Sequence, residues 1–405
     1  MNKLTYLIIA VLIILPVAVC KAAADAKIVP YYSFNTTEGV VVPNKGNTMV
    51  GLNLTNDIGL LFSPSNDSNQ RLLGFYELKY VGPGLHKDEG EQFSDRWMDH
   101  IGLLRYSYYI DKYTSIKTQL DYTTEYRRTG TNEVWGTGLY DYNRKGIVLG
   151  VSRTFFEKLD TTLDLSYHSL DFPNYTDLLS EIQISSGSAD SSAGKQNQNE
   201  TQLNLSLKYG QLRTYINSTL MSYTKQKVVT NIVQPDGSFY SPTLQQDSIF
   251  TIGVEDTQKI LNFLVVSPNA NLRLKNSNQN YQFFKGTSTV PVQYFSNYYS
   301  YVEYYVGIPC TLLVGKRWEL FYNLEYDWKT YVNRPPMDSA GNYLTGQQSN
   351  YLFLMSTGFT YKPNEVTRTT VFYTYQSQTS NMKYELYYPY NYNGNYIGIN
   401  FNYTY

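Results

Sequence analysis

The chain ends in the stretch YIGINFNYTY, residues 396–405. Apolar and aromatic side chains occupy every second position from Ile397 to Tyr405, and small or polar residues fill the positions between them. Such a period of two is typical of a β-strand with one apolar face and one polar face. The end of the chain therefore predicts an amphipathic strand.

The same period recurs along much of the sequence. Apolar residues alternate with polar ones from Val50 to Leu60, from Leu203 to Tyr209 and from Leu320 to Trp328. A helical period of 3.6 is not the dominant pattern in these stretches. Beyond the N-terminus the chain also lacks a run of about 18 apolar residues, the length that a transmembrane helix requires. We therefore expect an all-β protein.

Two features favour a membrane barrel over a soluble β-sandwich, which also alternates. The strand-like segments are long, and their connections alternate between short turns and long loops, as in outer-membrane barrels. Aromatic residues also gather near the predicted strand ends, where such barrels carry two interfacial girdles. These residues are Trp97, Tyr108, Tyr122, Tyr209, Trp318, Trp328, Tyr361 and Tyr405.

Turn-forming residues set the predicted strand number. We expect short turns near 63–69, 111–113, 156–160, 209–211, 267–270, 314–317 and 362–365. We expect long loops near 35–48, 81–96, 128–145, 171–200, 228–258, 281–296, 332–349 and 379–393. Seven turns and eight loops join about sixteen strands in a transmembrane antiparallel up-and-down β-barrel, and fourteen or eighteen strands are the alternatives. The segment 246–276 and a first strand near 26–34 are the least defined parts.

The amino-acid composition is consistent with a membrane barrel and gives no sign of nucleic-acid binding. The chain has 405 residues, of which 42% are hydrophobic and only 17% charged, and it contains 42 tyrosines. Tyrosine is amphipathic and favours sheets and membrane–water boundaries. The net charge of −1 gives no indication of a nucleic-acid partner.

The N-terminus has the three-part pattern of a secretory signal peptide: a basic start, an apolar core and small residues at the cleavage positions. We expect residues 1–24 to be this signal and residues 25–405 to be the barrel domain. Val17-Ala18-Val19-Cys20 resembles a lipobox, but Val19 is bulky where that motif requires a small residue. Cys310 is then the single cysteine of the mature chain, and we interpret it as a packed side chain.

The C-terminal stretch resembles the β-signal of bacterial outer-membrane proteins, with Gly398 followed by alternating aromatics, Phe401, Tyr403 and the terminal Tyr405 in place of the more usual Phe. The resemblance implies a Gram-negative outer-membrane location, contact with outer-membrane lipid and recognition by the barrel-assembly machinery. It covers ten residues and indicates no subfamily. A sixteen-strand barrel also resembles the general porins, which implies a possible homotrimer.

Strand parity predicts which charged side chains line the lumen. Those we expect there are Lys117, Lys208, Arg213, Glu303, Glu319, Glu325 and Asp327. The basic residues fall on earlier strands and the acidic residues on later ones, so a basic wall could face an acidic wall across the bore. Asp121 and Asp164 on the basic side, and Lys329 on the acidic side, weaken that separation.

Three functions compete on this pattern. The first is a porin-like channel for passive diffusion of small hydrophilic solutes. The alternative is a surface-exposed adhesin or receptor with a plugged lumen. An outer-membrane hydrolase is the third, and we predict no enzyme because the adjacent His168 and Ser169 must face opposite sides of a strand. No cysteine and histidine spacing indicates a metal or other cofactor, and the Ser- and Gly-rich loop 171–200 could constrict the lumen or lie outside.

Overall fold

The computed structural model describes residues 26–44, 48–65, 68–83, 95–129, 133–175, 194–235, 239–283, 293–386 and 389–405. In these ranges the regular structure is all β. No helix long and apolar enough to cross a membrane occurs among the described residues. The predicted signal peptide, residues 1–24, lies outside the described residues.

The strands are β1 (Lys27–Pro43), β2 (Met49–Ser63), β3 (Gln70–Pro83), β4 (Arg96–Tyr109), β5 (Thr114–Arg128), β6 (Tyr142–Phe155), β7 (Leu159–Asp171), β8 (Gln198–Tyr209), β9 (Leu212–Val229), β10 (Tyr240–Glu255), β11 (Gln258–Leu261), β12 (Leu264–Val266), β13 (Asn269–Ser277), β14 (Tyr281–Phe283), β15 (Gln293–Phe295), β16 (Tyr301–Val314), β17 (Trp318–Tyr331), β18 (Ser349–Tyr361), β19 (Thr367–Ser380) and β20 (Tyr392–Thr404).

Antiparallel pairing of neighbouring strands closes this sheet into a barrel, because β20 pairs with both β19 and β1. The short strands β11 and β12 continue β10 and β13 beyond a break, and β14 and β15 form a separate hairpin. Within the described ranges the wall therefore has sixteen strands, which confirms the predicted number and architecture. Closure leaves every strand paired on both sides, as a sheet in lipid requires.

The short-turn end of the barrel departs from prediction between β10 and β13. The turn expected at 267–270 is wrong: β11 and β12 extend the hairpin, which reverses at Asn262 and Phe263. Pro268 has no N–H to donate and interrupts the ladder, but the flanking backbone stays engaged. The Ser267 N–H donates to the Pro309 carbonyl, and the Asp256 N–H donates to the Pro268 carbonyl.

Two predicted loops are also shorter than expected. Strand β1 continues through Pro43, so residues 35–43 belong to the wall and not to a loop. Likewise β10 occupies 240–255 inside the predicted loop 228–258. Both segments are rich in Thr, Ser, Asn, Gln or Gly and lack a strong alternation. They are strands because a neighbour pairs with them along each edge.

The apolar side chains of the wall point outward. Leu203, Leu207, Leu320 and Ile399 are each at least one-third exposed. The buried apolar side chains are few among the described residues, and they are Leu170, Val228, Tyr298, Met337 and Met382. Buried polar side chains such as Asp247, His168 and Glu303 line the other face instead. A soluble sandwich would bury its apolar face, so this distribution is that of a membrane-type barrel.

Aromatic side chains form clusters at both ends of the apolar band. Trp328 lies 5.7 Å from Tyr304 and 5.8 Å from Tyr351, between ring centroids, near the end that carries the long loops. Trp318 lies 4.5 Å from Tyr361 near the short-turn end. Ten residues of tilted strand separate the two tryptophans along β17, which corresponds to about 25 Å of membrane depth. This spacing matches the hydrocarbon thickness that barrel girdles bracket.

Candidate functional site: the barrel interior

The seven charged residues predicted for the lumen share, in the strand register, the face opposite the exposed apolar side chains. Lys117 is on β5, Lys208 on β8 and Arg213 on β9. Glu303 is on β16, and β17 carries the other acidic residues of the set, Glu319, Glu325 and Asp327. The strand register therefore groups these residues as the alternation of the sequence predicts. The contacts of these groups decide what each of them can do.

Most of these groups have an oppositely charged partner. Lys117 Nζ lies 2.8 Å from Asp164 Oδ2. Arg213 Nη1 lies 3.3 Å from Glu255 Oε2. Glu319 pairs with Lys362 at the short-turn end. Lys208 lies opposite Asp160 in the register and is exposed.

On β16 and β17 the structure brings Glu303 and Asp327 side by side with two cations. Glu303 Oε2 lies 3.1 Å from Arg273 Nη1, and Glu303 Oε1 lies 2.8 Å from Lys329 Nζ. Lys275 Nζ lies 2.9 Å from Asp247 Oδ2 one strand further along the wall. Parity would also have identified Arg273 and Lys275, two further cations on the side where the sequence analysis counted only Lys329.

Acidic residues are equally present on the opposite side. Asp57 and Glu77 are cross-strand neighbours on β2 and β3, and Asp99 and Glu125 are cross-strand neighbours on β4 and β5. Among the described residues, this face therefore has both signs of charge on both sides. In the part of the chain that the structure describes, no group of three or more His, Cys, Asp and Glu side chains could hold a metal.

His168 belongs to one of these charged groups. Its Nε2 lies 3.3 Å from Asp121 Oδ1, and only 3% of the residue is exposed. Arg144 Nη1 lies 3.7 Å from Asp121 Oδ1, and Arg144 Nη2 lies 3.7 Å from Glu200 Oε2. A Cβ at Gly146 would meet the His168 ring at 1.9 Å, so this glycine makes room for the imidazole against the wall. Ser169 faces outward in the register, as parity predicts.

Other inner-face glycines lie beneath aromatic rings. An added Cβ would meet the ring of Tyr215 at 2.3 Å from Gly253, of Phe321 at 2.8 Å from Gly358, of Phe372 at 2.7 Å from Gly398 and of Tyr396 at 2.4 Å from Gly39. Each ring therefore lies along the wall in space that any larger residue would fill. An aromatic side chain over a strand glycine is a known way to pin strand register.

The two sides of the wall differ in charge density. On the inner faces of β18, β19, β20 and β1 the charged side chains are Lys27 and Arg368, both at the short-turn end. Glu38 belongs to the outer face of β1. The remaining inner positions carry amides, hydroxyls, glycines, apolar residues and rings. We call these four strands the uncharged wall and β2–β10, β13, β16 and β17 the charged wall.

At the long-loop end, three connections form one assembly. The Arg334 guanidinium lies 4.8 Å from the ring centres of both Tyr298 and Tyr331, and its Nη2 donates to the Tyr390 hydroxyl at 2.8 Å. The Met337 N–H donates to Met382 Sδ at 3.3 Å. Burial raises the pKa of the Tyr298 phenol. These contacts tie the described parts of 278–300, 332–348 and 381–391 together. Residues 176–193 of the predicted constriction loop lie outside the described residues.

The fold and the site define the class of protein. A closed sixteen-strand barrel with an apolar outer band, two aromatic girdles and a polar interior is an outer-membrane β-barrel protein. Its long loops then face the outside, its short turns face the periplasm, and its location is the cell outer membrane.

Comparisons with known proteins gave similarities of fold. No protein-family model and no curated protein matches the chain. Among solved structures, the chain is similar to OccAB1 from Acinetobacter baumannii, with 10% identity over 93% of this chain and 96% of that one and a TM-score of 0.48. It is similar to OmpT of Vibrio cholerae in its trimer form, with 13% identity over 94% and 100% and a TM-score of 0.46. It is also similar to an anion-selective porin from Comamonas acidovorans, with 9% identity over 94% and 100% and a TM-score of 0.46.

Proposed function

We propose that this protein is a porin-like channel that lets small hydrophilic solutes diffuse passively across the outer membrane. The observation that carries the proposal is the inner face, on which charged and polar side chains occur on every side and pair with neighbours along the wall. Sixteen strands enclose enough space for an aqueous channel. Rings that lie over glycines, as Tyr215 lies over Gly253, preserve that space.

Several further properties belong to the same proposal. The N-terminal segment 1–24 serves as the export signal, and the C-terminal strand with Gly398, Phe401, Tyr403 and Tyr405 is recognised by the barrel-assembly machinery. The mature chain contacts outer-membrane lipid and assembles as a homotrimer. It acts without enzymatic chemistry and without a cofactor. The lumen charges Lys117, Glu303 and Asp327 tune which ions pass.

The test is single-channel conductance of the refolded mature chain in a planar bilayer, with the reversal potential in a salt gradient. We expect discrete, long-lived openings. A preparation that was never refolded controls for contaminating channels. Folding is checked by the heat-dependent shift of the band in electrophoresis. A folded barrel that passes no current would overturn the channel proposal.

One observation favours a second function, a surface receptor or adhesin. The loop assembly around Arg334, Tyr298 and Tyr390 is tied together by hydrogen bonds and ring contacts, and an ordered loop surface suits binding to a partner. A folded, non-conducting barrel that retains this assembly would support the receptor. Conducting openings together with unchanged conductance in Arg334→Ala would leave the loops without a role in transport.

A further inference from the structure

A cavity of about 390 Å³ lies on the outer surface of the barrel at the long-loop end. Strands β9, β10 and β13 supply its wall, where Leu220 lies opposite Ser248 and Ser248 lies opposite Asn276. These three residues share the outward face of the wall with the exposed Phe250 of β10. The cavity therefore opens toward the surroundings of the barrel and is separate from the bore. Its other described lining residues are Gln246, Asp247, Ser277, Asn278, Asn297, Ser300 and Val332.

The cavity lies above the apolar band, on the long-loop side of the upper aromatic girdle. Leu272 of β13 lies opposite Tyr304, one of the aromatic residues clustered there. Two outward positions further along β13, beyond Leu274, the wall changes from leucine to Asn276. Because outward-facing polar side chains replace apolar ones at this level, the cavity faces the headgroup layer of the outer leaflet.

Hydrogen bonds fix the floor of the cavity. Ser277 Oγ donates to Asp247 Oδ1 at 2.6 Å, and Lys275 Nζ lies 2.9 Å from Asp247 Oδ2. The Ser277 N–H donates to Ser300 Oγ at 3.0 Å, and the Val332 N–H donates to the Ser300 carbonyl at 2.9 Å. Asp247 is only 1% exposed, and Lys275 balances its charge. The floor is therefore held in one arrangement and carries no net charge.

Four polar side chains around this floor keep their hydrogen-bonding capacity. Within the part of the chain that the structure describes, the side chains of Gln246, Ser248, Asn276 and Asn297 make no hydrogen bond to another residue. An amide side chain has two N–H donors and a carbonyl acceptor, and a hydroxyl both donates and accepts. The cavity can therefore offer several donors and acceptors to one ligand.

This set of groups suits an uncharged ligand with many hydroxyl or amide groups. The described lining residues include no lysine or arginine, so a phosphate or carboxylate would find no countercharge among them. Leu220 and Val332, each 46% exposed, offer apolar surface for C–H groups. A sugar ring has both a rim of hydroxyls and faces of C–H groups. The volume also lies within the range of small-ligand pockets, roughly 300–1,000 Å³.

We propose that this cavity binds a sugar unit in the headgroup of a neutral glycolipid from the surrounding outer leaflet. Leu220 borders the cavity, and the exposed Phe250 is the next outward residue along β10 toward the membrane. Acyl chains attached to a bound sugar can therefore continue along the apolar band. A soluble sugar would leave this apolar surface uncovered. The site goes beyond the proposed channel function and does not depend on what passes through the bore.

The test is native mass spectrometry of the folded mature chain in an amine-oxide detergent, which carries no sugar. The probe is glucosyl diacylglycerol. Diacylglycerol with the same acyl chains lacks the sugar, phosphatidylglycerol has a charged headgroup, and free glucose lacks the chains. We expect the protein to retain glucosyl diacylglycerol in preference to all three.

Matched double variants locate the binding. Q246L/N276L removes two amides of the cavity at nearly constant volume and should raise the apparent dissociation constant about tenfold, the loss of one to two net hydrogen bonds. N199L/N393L removes two outward amides of β8 and β20 that do not line the cavity and should leave binding unchanged. Ser248→Phe fills the cavity from its wall and should abolish retention. All variants are checked for folding by the heat-dependent band shift.

Four outcomes would overturn the proposal. Equal retention of glucosyl diacylglycerol and diacylglycerol would remove the role of the sugar, and equal loss in both double variants would remove the role of the cavity. Preferential retention of phosphatidylglycerol would contradict a neutral headgroup. Free glucose that binds as firmly as the glycolipid would contradict a membrane lipid as the source. None of these readouts uses current, so a failed channel and a failed glycolipid site remain distinguishable.

Discussion

The charged wall and the uncharged wall use one architecture for two surfaces. Both are antiparallel strands with apolar outer faces, and both lay large side chains over glycines. On the charged wall Gly150 accommodates Lys117 and Asp164, whereas on the uncharged wall Gly398 accommodates Phe372. The difference shows that an inner-face glycine does not specify chemistry. It specifies that a neighbour's side chain lies flat, and the neighbour supplies the chemistry.

The largest expected effect is at the centre of the charged wall. Glu303→Gln should lower the free energy of unfolding by about 3 kcal/mol, because it removes a buried carboxylate, 4% exposed, from Arg273 and Lys329. It should also shift the reversal potential toward anion preference. Urea unfolding and bilayer recordings measure the two. Phe372→Leu is the control from the uncharged wall, and a shift of reversal potential there would break the comparison.

The second largest effect concerns the close approach of neighbouring backbones in the uncharged wall. Gly358→Ala should cost about 1–3 kcal/mol, because its Cβ would lie 2.3 Å from the Val371 carbonyl oxygen, a backbone atom that cannot rotate away. Gly51→Ala is the matched control on β2, where the nearest atom would be 4.0 Å away. Urea midpoints followed by tryptophan fluorescence check the difference. Equal midpoints would contradict the close packing inferred for Gly358.

A smaller effect tests whether the rings keep the bore open. Gly253→Ala should push the Tyr215 ring off the charged wall, since its Cβ would lie 2.3 Å from the ring. We expect a lower single-channel conductance with little change in stability, because a ring end can swing inward. Gly253→Ala combined with Tyr215→Leu should restore the conductance. Unchanged conductance in the single variant would mean that the ring does not face the open bore.

The smallest effect concerns the turns, where the two walls again differ by one charge. Asp111 Oδ1 accepts the N–H groups of Tyr113 and Thr114, both at 2.7 Å, in the turn between β4 and β5. Asn364 Oδ1 accepts those of Val366 and Thr367, at 3.1 and 2.8 Å, between β18 and β19. The geometry is the same, but only the aspartate titrates.

Backbone hydrogen bonds, above all that from the Tyr113 N–H, lower the pKa of Asp111. Its contribution to stability is therefore complete above the ordinary carboxyl pKa and is lost as pH falls through the lowered value. Asp111→Ala should destabilise the barrel at neutral pH and lose that effect in acid. Asn364→Ala should show a cost that does not depend on pH. Unfolding series from pH 7 down to pH 3 compare them, and parallel curves would contradict the assignment.

Much of this fold was predictable from alternation alone. The strand of residues 396–405, the outward leucines near 203–207 and the alternating girdle aromatics of β17 each carry a local signal, and together with turn residues they indicated sixteen strands. The upper half of β1 and the segment 240–255 were missed, because their small polar residues form strands only through pairing with neighbours. Similarly, Pro268 led us to predict a turn at 267–270, whereas the hydrogen-bonded strands continue past this proline into β11 and β12.

The interior was less predictable than the wall. Parity placed Lys117 and Glu303 on the inner face, but the partner of a lumen charge lies one or two strands away and depends on register. The placement of the Phe372 ring over Gly398 was invisible for the same reason. A glycine and the ring above it are adjacent in the sheet and distant in sequence.

The seam between β20 and β1 has a consequence for biogenesis. Tyr32 and Tyr405 exchange backbone hydrogen bonds at 3.0 and 2.8 Å, so the two extremities of the barrel domain grip each other at the periplasmic rim. Strand β20, which closes the barrel, is the last of its strands to be synthesised and exported. Before β20 pairs with them, β1 and β19 each have an edge of unpaired backbone N–H and C=O groups. Such edges can pair with strands of other chains. The barrel therefore cannot close until β20 has paired with both of its neighbours.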